Sequence, residues 1–340
     1  MSEIFKPNKK RIATVVIAVI LLIYSIATII PFYFLGVRSF VPTNKSAVFH
    51  LVPPKLDGFN MDSTYGNLAT FYNIDLKKAK KTLGIKGYIN PNATWREIAE
   101  KQNISFEKMI KYFNPYIKYN GWITILTDHR ILKSLIMTIV ITLSSLIVGG
   151  LLAIATGSVL AGFKKRWHSW IYALYMLQMI ITPVMIIIPV YMILGRFFGL
   201  SNSYWALFLL FIKGGAIPVM VFTSYISGIP GTLKESVEID GGNRLQYFIH
   251  ILLPLMKVPF ATFSAIMFPI IWNDLLQGLV FMNADKYTLV PMINSLQGTF
   301  TTNYQAIYAG LGLSIIPVLV IYMMFQNLFV KSALSGAIKG

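Results

Sequence analysis

The stretch 132-LKSLIMTIVITLSSLIVGGLLAIATGSVLAG-162 decides the fold class, because Lys133 is its only charged residue. An α-helix crosses the hydrocarbon core of a bilayer with about 20 mostly apolar residues. The sequence therefore predicts an all-α membrane protein, and further runs of the same kind bring the expected number of transmembrane helices to six. Those runs occupy residues 12–35, 168–194, 204–227, 252–281 and 304–329.

The composition excludes most classes of soluble protein. Of the 340 residues, 55% are hydrophobic and 13% are charged, whereas a soluble domain carries about 25% charged residues. The net charge of +17 would suggest nucleic-acid binding in a soluble protein, but basic residues beside membrane helices set topology instead. The chain has no cysteine and four scattered histidines, so we expect no disulfide, no metal site and no nucleic-acid partner.

Basic residues in the short loops orient the predicted helices. A basic segment precedes the first run, as in a signal peptide, but no small-residue cleavage site follows, so we interpret the run as a retained helix. The positive-inside rule then places both termini and the loop 228–251 in the cytoplasm, an N-in/C-in topology. The residues that decide this orientation are Lys164, Lys165, Arg166, Lys234, Arg244, Lys331 and Lys339.

A polar insert separates the first predicted helix from the second. We divide the chain into an N-terminal tail with the first helix (1–38), a small extracytoplasmic insert (39–130) and a core (131–340). Helical spacing in the insert gives two apolar stripes, and Ser105 is the predicted cap of the second helix, although Lys108 replaces the acid of a capping box. The pattern TW-x-x-IA resembles a LysM glycan-binding module; the alternative is a two-helix cap packed on the membrane domain or its partner. The stripes are Trp95, Ile98 and Ala99, then Phe106, Met109, Ile110 and Phe113.

The predicted cytoplasmic loop 230-PGTLKESVEIDGGNRLQYFIHILLP-254, hereafter the elbow, indicates two helices joined by glycine. Thr232 is the predicted cap of the first helix, with Glu235 as its reciprocal partner. Leu233, Val237 and Ile239 are expected on one side of that helix. Asp240-Gly241-Gly242 ends it, since glycine tolerates positive φ. Such an elbow is held either by a protein partner or, as an interfacial helix, by lipid alone.

The elbow resembles a motif of the permeases of binding-protein-dependent ABC importers. That motif has the form EAA, three residues, Gly, nine residues, Ile-x-Leu-Pro. Here Glu235 precedes Gly241 and then Ile251-Leu-Leu-Pro254 at matching distances, while Ser236 and Val237 replace the two alanines. The segments 272-WNDLLQGLVF-281, 287-YTLVP-291 and 329-FVKSALSGAIKG-340 are similar to the MalG-type subunit of the carbohydrate-uptake branch.

This resemblance implies a multi-pass permease subunit in the bacterial cell membrane that hydrolyses nothing. The sequence agrees, because it has no G-x-x-x-x-G-K-[ST] phosphate loop. The family implies ATP and Mg on two separate ATPase subunits, a second permease subunit, an extracytoplasmic solute-binding protein and surrounding membrane lipid. It also implies that the elbow couples to one ATPase through Glu235, Ser236, Val237, Asp240 and Gly241.

Rare polar residues inside the predicted helices are candidates for a sugar path. Ionisable residues inside a membrane are expensive and indicate function, and a turn of polar and aromatic groups suits a sugar. The alternative is that Asn273 and Asp274 bridge helices or cap a kink, and that Gln178 and Thr182 form hydrogen bonds between helices. Lys213 either faces the path or reaches toward the membrane surface. The candidates are Trp272, Asn273, Asp274, Gln277, Gln178 and Thr182.

Two other functions compete with the importer. A stand-alone secondary transporter would show inverted repeats and buried coupling acids, whereas Asp274 is the only acid in a predicted helix. A membrane enzyme acting on glycans would need carboxylates or histidines clustered at one membrane face. The acids of this chain lie mostly in the insert and the elbow, so both alternatives are disfavoured.

Overall fold

The computed structural model confirms the all-α class: the described residues form helices and no strand, apart from two isolated bridges. The helices, in chain order, are α1 Lys9–Arg38, α2 Leu76–Leu83, α3 Trp95–Gln102, α4 Phe106–Thr127, α5 His129–Gly162, α6 Arg166–Leu177, α7 Pro183–Phe197, α8 Tyr204–Ile212, α9 Ala216–Ser227, α10 Thr232–Ile239, α11 Arg244–Leu255, α12 Lys257–Trp272, α13 Leu276–Phe281, α14 Leu289–Asn294 and α15 Tyr304–Ala337. The structure describes residues 9–46, 48–54, 61–67, 74, 76–162, 166–213, 215–298 and 302–337.

Four described helical segments are long and apolar enough to cross a membrane: Ala13–Arg38, His129–Gly162, Tyr204–Ser227 and Tyr304–Gln326. A fifth arises if α11 and α12, which meet at an angle of 67°, count as one crossing. The predicted crossing at 168–194 is split between α6 and α7, because residues 178–182 are not helical. The number six and the orientation therefore stay predictions, and Lys164, Lys165 and Lys339 lie outside the described residues.

The chain forms two compact units. Unit 1 contains Met1–Asp128 and Leu296–Leu313, and unit 2 contains His129–Ser295 and Ser314–Gly340. The predicted division at residues 38 and 130 follows membrane topology rather than compactness, so it stays a prediction.

A stripe of small residues makes α5 the centre of unit 2. Helices in membranes approach closely where such residues lie at the contact. A Cβ atom added at Gly150 would strike the Phe260 ring of α12, and one added at Gly157 would lie 3.1 Å from the backbone nitrogen of Thr223 in α9. The buried small residues of the stripe are Ser134, Thr138, Thr142, Ser145, Gly149, Gly150, Ala153 and Gly157.

In unit 1, α4 packs on the first turns of α15. The backbone of Gln305 lies so close to Gly121 that a side chain there would strike it. The Gln305 amide also donates to the carbonyl of Lys118 at 2.6 Å. These contacts tie the end of the insert to residues far along the chain.

The insert has an aromatic core. The Trp95 ring centroid lies 5.0 Å from that of Tyr65 and 4.7 Å from that of Phe113, and both predicted stripes contribute buried residues to this core. Thr94 and Glu97 form the capping box of α3. Ser105 occupies the N-cap position of α4, as predicted, but its side chain makes no cap hydrogen bond. The capping box is incomplete, as expected, because Lys108 at the third helical position cannot reciprocate.

The structure also draws attention to a repeat that our sequence analysis missed. Residues 64–83 and 94–113 align at an offset of 30 positions, with Thr64 opposite Thr94 and Tyr65 opposite Trp95. The two threonines form an antiparallel bridge, and the two aromatic rings pack against each other in the shared core at a tilt of 42°. The insert core is therefore built from two related segments.

Candidate functional site

The elbow presents an exposed surface of unit 2. Seven of the eight residues of α10 are exposed and Val237 is half-buried. We expected Ile239 on the same side of α10 as Val237, but its side chain is 84% exposed. Leu245, in α11, is 64% exposed. The sequence analysis did not identify either side chain as an exposed apolar residue. For Ile239 a signal was present, because an isoleucine directly before the turn at Asp240-Gly241 lies at the end of its helix. Exposed apolar side chains of this kind are typical of protein contact sites when they lie together.

Backbone geometry fixes the turn between α10 and α11. Gly241 has φ of +76°, the left-handed region that favours glycine. A Cβ atom at the next residue, Gly242, would lie 2.6 Å from Cγ1 of Val237. The pair Gly241-Gly242 therefore allows a tight turn that packs against Val237.

The predicted capping box at Thr232 and Glu235 is wrong. Gly231 occupies the cap position without a side-chain bond, because the carbonyl of Gly231 already accepts from the backbone N–H groups of Lys234 and Glu235. The capping box instead joins Asn243 and Gln246 at the start of α11, with bonds of 2.9 and 2.7 Å. Asparagine is among the strongest helix N-caps.

The predicted coupling residues therefore differ in their surroundings. Glu235 is exposed, with no ion pair among the described residues, and Ser236 donates to the carbonyl of Thr232 at 2.9 Å. Asp240 caps the end of α10. The neighbouring pair Lys234–Glu238, at 3.6 Å, is exposed and contributes little stability. Glu235 is thus available to a partner.

A cavity of about 690 Å³ lies in unit 2, where three helical breaks meet. Residues 178–182 separate α6 from α7, and residues 273–275 separate α12 from α13. At the remaining break, α8 ends at Ile212 and α9 begins at Ala216. Non-helical backbone at membrane depth is tolerated where it is buried in protein or lines a water-filled cavity. Their convergence identifies this cavity as a candidate solute site.

Five of the six predicted path residues line the cavity: Gln178, Thr182, Asn273, Asp274 and Gln277. Lys213 also lines the cavity. Of the two positions that we considered for this side chain, facing the path or reaching toward the membrane surface, the structure shows the first. Trp272 does not, because it is only 2% exposed. It stacks on Phe268 at 5.4 Å and donates to the carbonyl of Ser314 at 2.9 Å. Trp272 therefore serves helix packing rather than the cavity lining.

Asp274 caps a helix as well as lining the cavity. Its two oxygens accept from the backbone N–H groups of Gln277, at 3.4 Å, and Gly278, at 2.9 Å. The Oε1 atom of Gln277 is buried without a hydrogen-bond partner in the described part of the chain. The cavity thus contains a carboxylate, Asp274, whose oxygens already accept hydrogen bonds, and an amide oxygen, Oε1 of Gln277, that has no donor among the described residues.

The described residues hold no group of three or more His, Asp or Glu side chains that could bind a metal ion. Several apolar helices, a polar cavity between broken helices and an exposed elbow together define a membrane transport subunit. Residues 149–334 match the sequence model of the family described as "Binding-protein-dependent transport system inner membrane component". The chain belongs to this family, whose members are transport permeases rather than hydrolases. It is a multi-pass protein of the cytoplasmic membrane.

Curated relatives of the chain are permeases of ABC sugar import systems. The probable starch degradation products transport system permease protein AmyC of Thermoanaerobacterium thermosulfurigenes is 29% identical over 203 residues, 59% of this chain and 74% of the relative. The galactooligosaccharides transport system permease protein GanQ of Bacillus subtilis is 32% identical over 197 residues, 56% of this chain and 69% of the relative. The matches exceed half of the chain in both comparisons.

A solved structure shares the fold. It belongs to a bacterial ABC transporter involved in the import of the acidic polysaccharide alginate. The similarity has a TM-score of 0.64 at 16% sequence identity and covers 96% of this chain and 99% of that chain. At this identity the likeness concerns the fold alone.

Proposed function

We propose that this chain is the permease subunit of an ABC importer for an oligosaccharide and provides half of the translocation path. The observation that carries the proposal is the exposed elbow, which has the family spacing from Glu235 to Pro254 and lies inside the matched region 149–334. The names of the relatives, which refer to starch products and galactooligosaccharides, support the substrate class.

In this proposal the elbow is the coupling helix, seated on one of two ATPase subunits. Ile239 and Leu245 supply apolar contacts at its two ends, and both are exposed in the isolated chain. Glu235 supplies a charge for a basic residue of the ATPase. Because the Gly241-Gly242 turn packs closely against Val237 of α10, motion of the ATPase would be passed on as a rigid-body movement. ATP and Mg bind the ATPases, and no cofactor binds this chain.

The polar cavity is the proposed solute path. Its volume of about 690 Å³ falls within the ~300–1,000 Å³ that is usual for small-molecule sites. Amide and hydroxyl groups of Gln178, Thr182 and Asn273 can bond sugar hydroxyls, and the apolar residues between them can cover a ring face. We propose six membrane crossings with both termini in the cytoplasm, a second permease subunit that completes the path, and a solute-binding protein on the outer face.

The test is the Glu235→Lys variant in the importer co-expressed from its own operon. We expect normal membrane insertion but a loss of sugar uptake of about tenfold or more, since a charge-assisted contact of ~2 kcal/mol becomes a repulsion. Glu238→Gln is the matched control, because Glu238 only pairs with Lys234 at the surface. Unchanged uptake by Glu235→Lys at normal expression, or failure to co-purify with any ATPase subunit, would contradict the proposal.

A further inference from the structure

Lys213 occupies an unusual position in the polar cavity. It ends α8 at the second of the three helical breaks and is the only basic residue among the described residues that line the cavity. Its side chain has no hydrogen-bond or ion-pair partner within the described part of the chain. Its side chain is exposed in the isolated chain. A lysine inside a membrane protein is costly unless a partner or a function compensates, so an anion bound in the cavity would stabilise it.

Asp274, the only acid among the described lining residues, is not that anion in this structure. Both of its oxygens accept hydrogen bonds from the backbone N–H groups of Gln277 and Gly278. The structure records no ion pair between Asp274 and Lys213, so the ammonium remains available to a ligand.

The other polar groups of the cavity are neutral. Gln178, Thr182 and Asn273 carry amide or hydroxyl donors that suit sugar hydroxyls and carboxylate oxygens alike. They therefore do not distinguish a neutral sugar from an acidic one. Lys213 does, because a charge-assisted hydrogen bond is roughly twice as strong as a neutral one.

We propose that Lys213 makes this importer selective for oligosaccharides that carry a carboxylate, such as oligouronides. This inference rests on the proposed function. The ammonium pairs with the sugar carboxylate in the cavity, while the neighbouring amide and hydroxyl groups bind the ring hydroxyls. Neutral oligosaccharides fit the same cavity but leave the ammonium unpaired, and that difference produces the discrimination.

A direct test measures binding of two trisaccharides of similar size to the whole importer in lipid nanodiscs without a solute-binding protein. The probes are radiolabelled trigalacturonate and galactotriose, and the variants are Lys213→Gln and Lys213→Arg. We expect the wild type to prefer trigalacturonate, Lys213→Gln to lose about tenfold of that preference, and Lys213→Arg to retain most of it. Lys133→Gln is the matched control for lost charge, because Lys133 lies outside the cavity and contacts the carbonyl of Asp285.

Two results would overturn the inference while leaving the proposed function intact. The first is equal binding of the two trisaccharides to the wild type, or an unchanged preference in Lys213→Gln. The second is recovery of wild-type preference in a Lys213→Gln, Asp274→Asn double variant, which would assign Lys213 to an internal ion pair. If neither trisaccharide binds although the ATPases co-purify, the cavity is not the sugar path, and that part of the proposed function fails as well.

Discussion

The insert and unit 2 use polar and aromatic residues in opposite ways. In the insert, Trp95 is buried between two aromatic rings and Thr94 caps its own helix, so the local groups serve the fold. In unit 2, the ends of several helices meet at one cavity. Within the described part of unit 2, Lys213 and the Oε1 atom of Gln277 have no partner. Broken helices in a membrane are tolerated around a cavity. The difference indicates that the insert is built for stability and unit 2 for a solute.

The largest expected effect is the loss of insert stability when its aromatic core is disrupted. Trp95→Ala removes a fully buried ring and should destabilise the insert by about 3–5 kcal/mol, without preventing membrane insertion of unit 2. Limited proteolysis from the outer side, with the cleavage sites mapped, measures the effect. Tyr88→Ala is the control, since Tyr88 is 90% exposed. Loss of membrane insertion in Trp95→Ala would show that the two regions are not separable.

Close helix packing in unit 2 gives the next effect. Gly150→Leu places a side chain where the Phe260 ring lies, and overpacking of this kind costs about 1–3 kcal/mol or more. We expect a lower thermal aggregation temperature for the purified importer. Gly162→Leu, at a glycine with open space around its Cβ position, should behave as the wild type, and equal losses in both variants would refute the packing account.

Helix capping in the insert should have a smaller effect. Thr94→Ala removes the capping bond to Glu97 and should reduce stability by about 1 kcal/mol. Ser105→Ala should leave stability within about 0.5 kcal/mol, because Ser105 makes no cap bond. Hydrogen exchange across α3 and α4 separates the two variants. Equal protection in both would mean that the cap at Thr94 is not stabilising.

The smallest effect concerns pH. The Arg96 guanidinium donates to Asp62 at 2.8 Å and lowers the pKa of that carboxyl group. A lowered pKa in the folded state means that the pair stabilises the insert above the ordinary carboxyl pKa and that this stabilisation disappears as the pH falls through the lowered value. Asp62→Asn should therefore reduce the acid sensitivity of hydrogen exchange near Arg96. An identical pH profile in the variant would assign that sensitivity to other groups.

Much of the fold could be predicted from the sequence, because apolar runs and helical stripes are local patterns. The stripes through Trp95 and Met109 do reach the insert core. The break at residues 178–182 was not predicted, although Gln178 and Thr182 lie there, because single polar residues and a proline such as Pro183 are compatible with a continuing membrane helix. The repeat at an offset of 30 residues was detectable from Thr64-Tyr65 and Thr94-Trp95, but few of its other positions are identical.

The candidate site was predicted in part. Polar residues inside apolar runs pointed to five cavity residues, since such residues are rare. The surroundings of Trp272 could not be predicted, because its contacts with Phe268 and Ser314 depend on tertiary packing. The capping error at Thr232 arose because a backbone turn at Gly231 satisfies the same donors that the threonine side chain would have bound.

Single cysteines test the central claim most directly, since the natural chain has none. Tyr88→Cys in the insert and Ile239→Cys in the elbow are each treated in intact cells with a membrane-impermeant maleimide, and then in permeabilised cells with a bifunctional one. The account predicts outside labelling at position 88, protection at position 239, and a crosslink from position 239 to an ATPase subunit. Outside labelling at position 239, or the absence of any crosslink to an ATPase in the assembled importer, would contradict it.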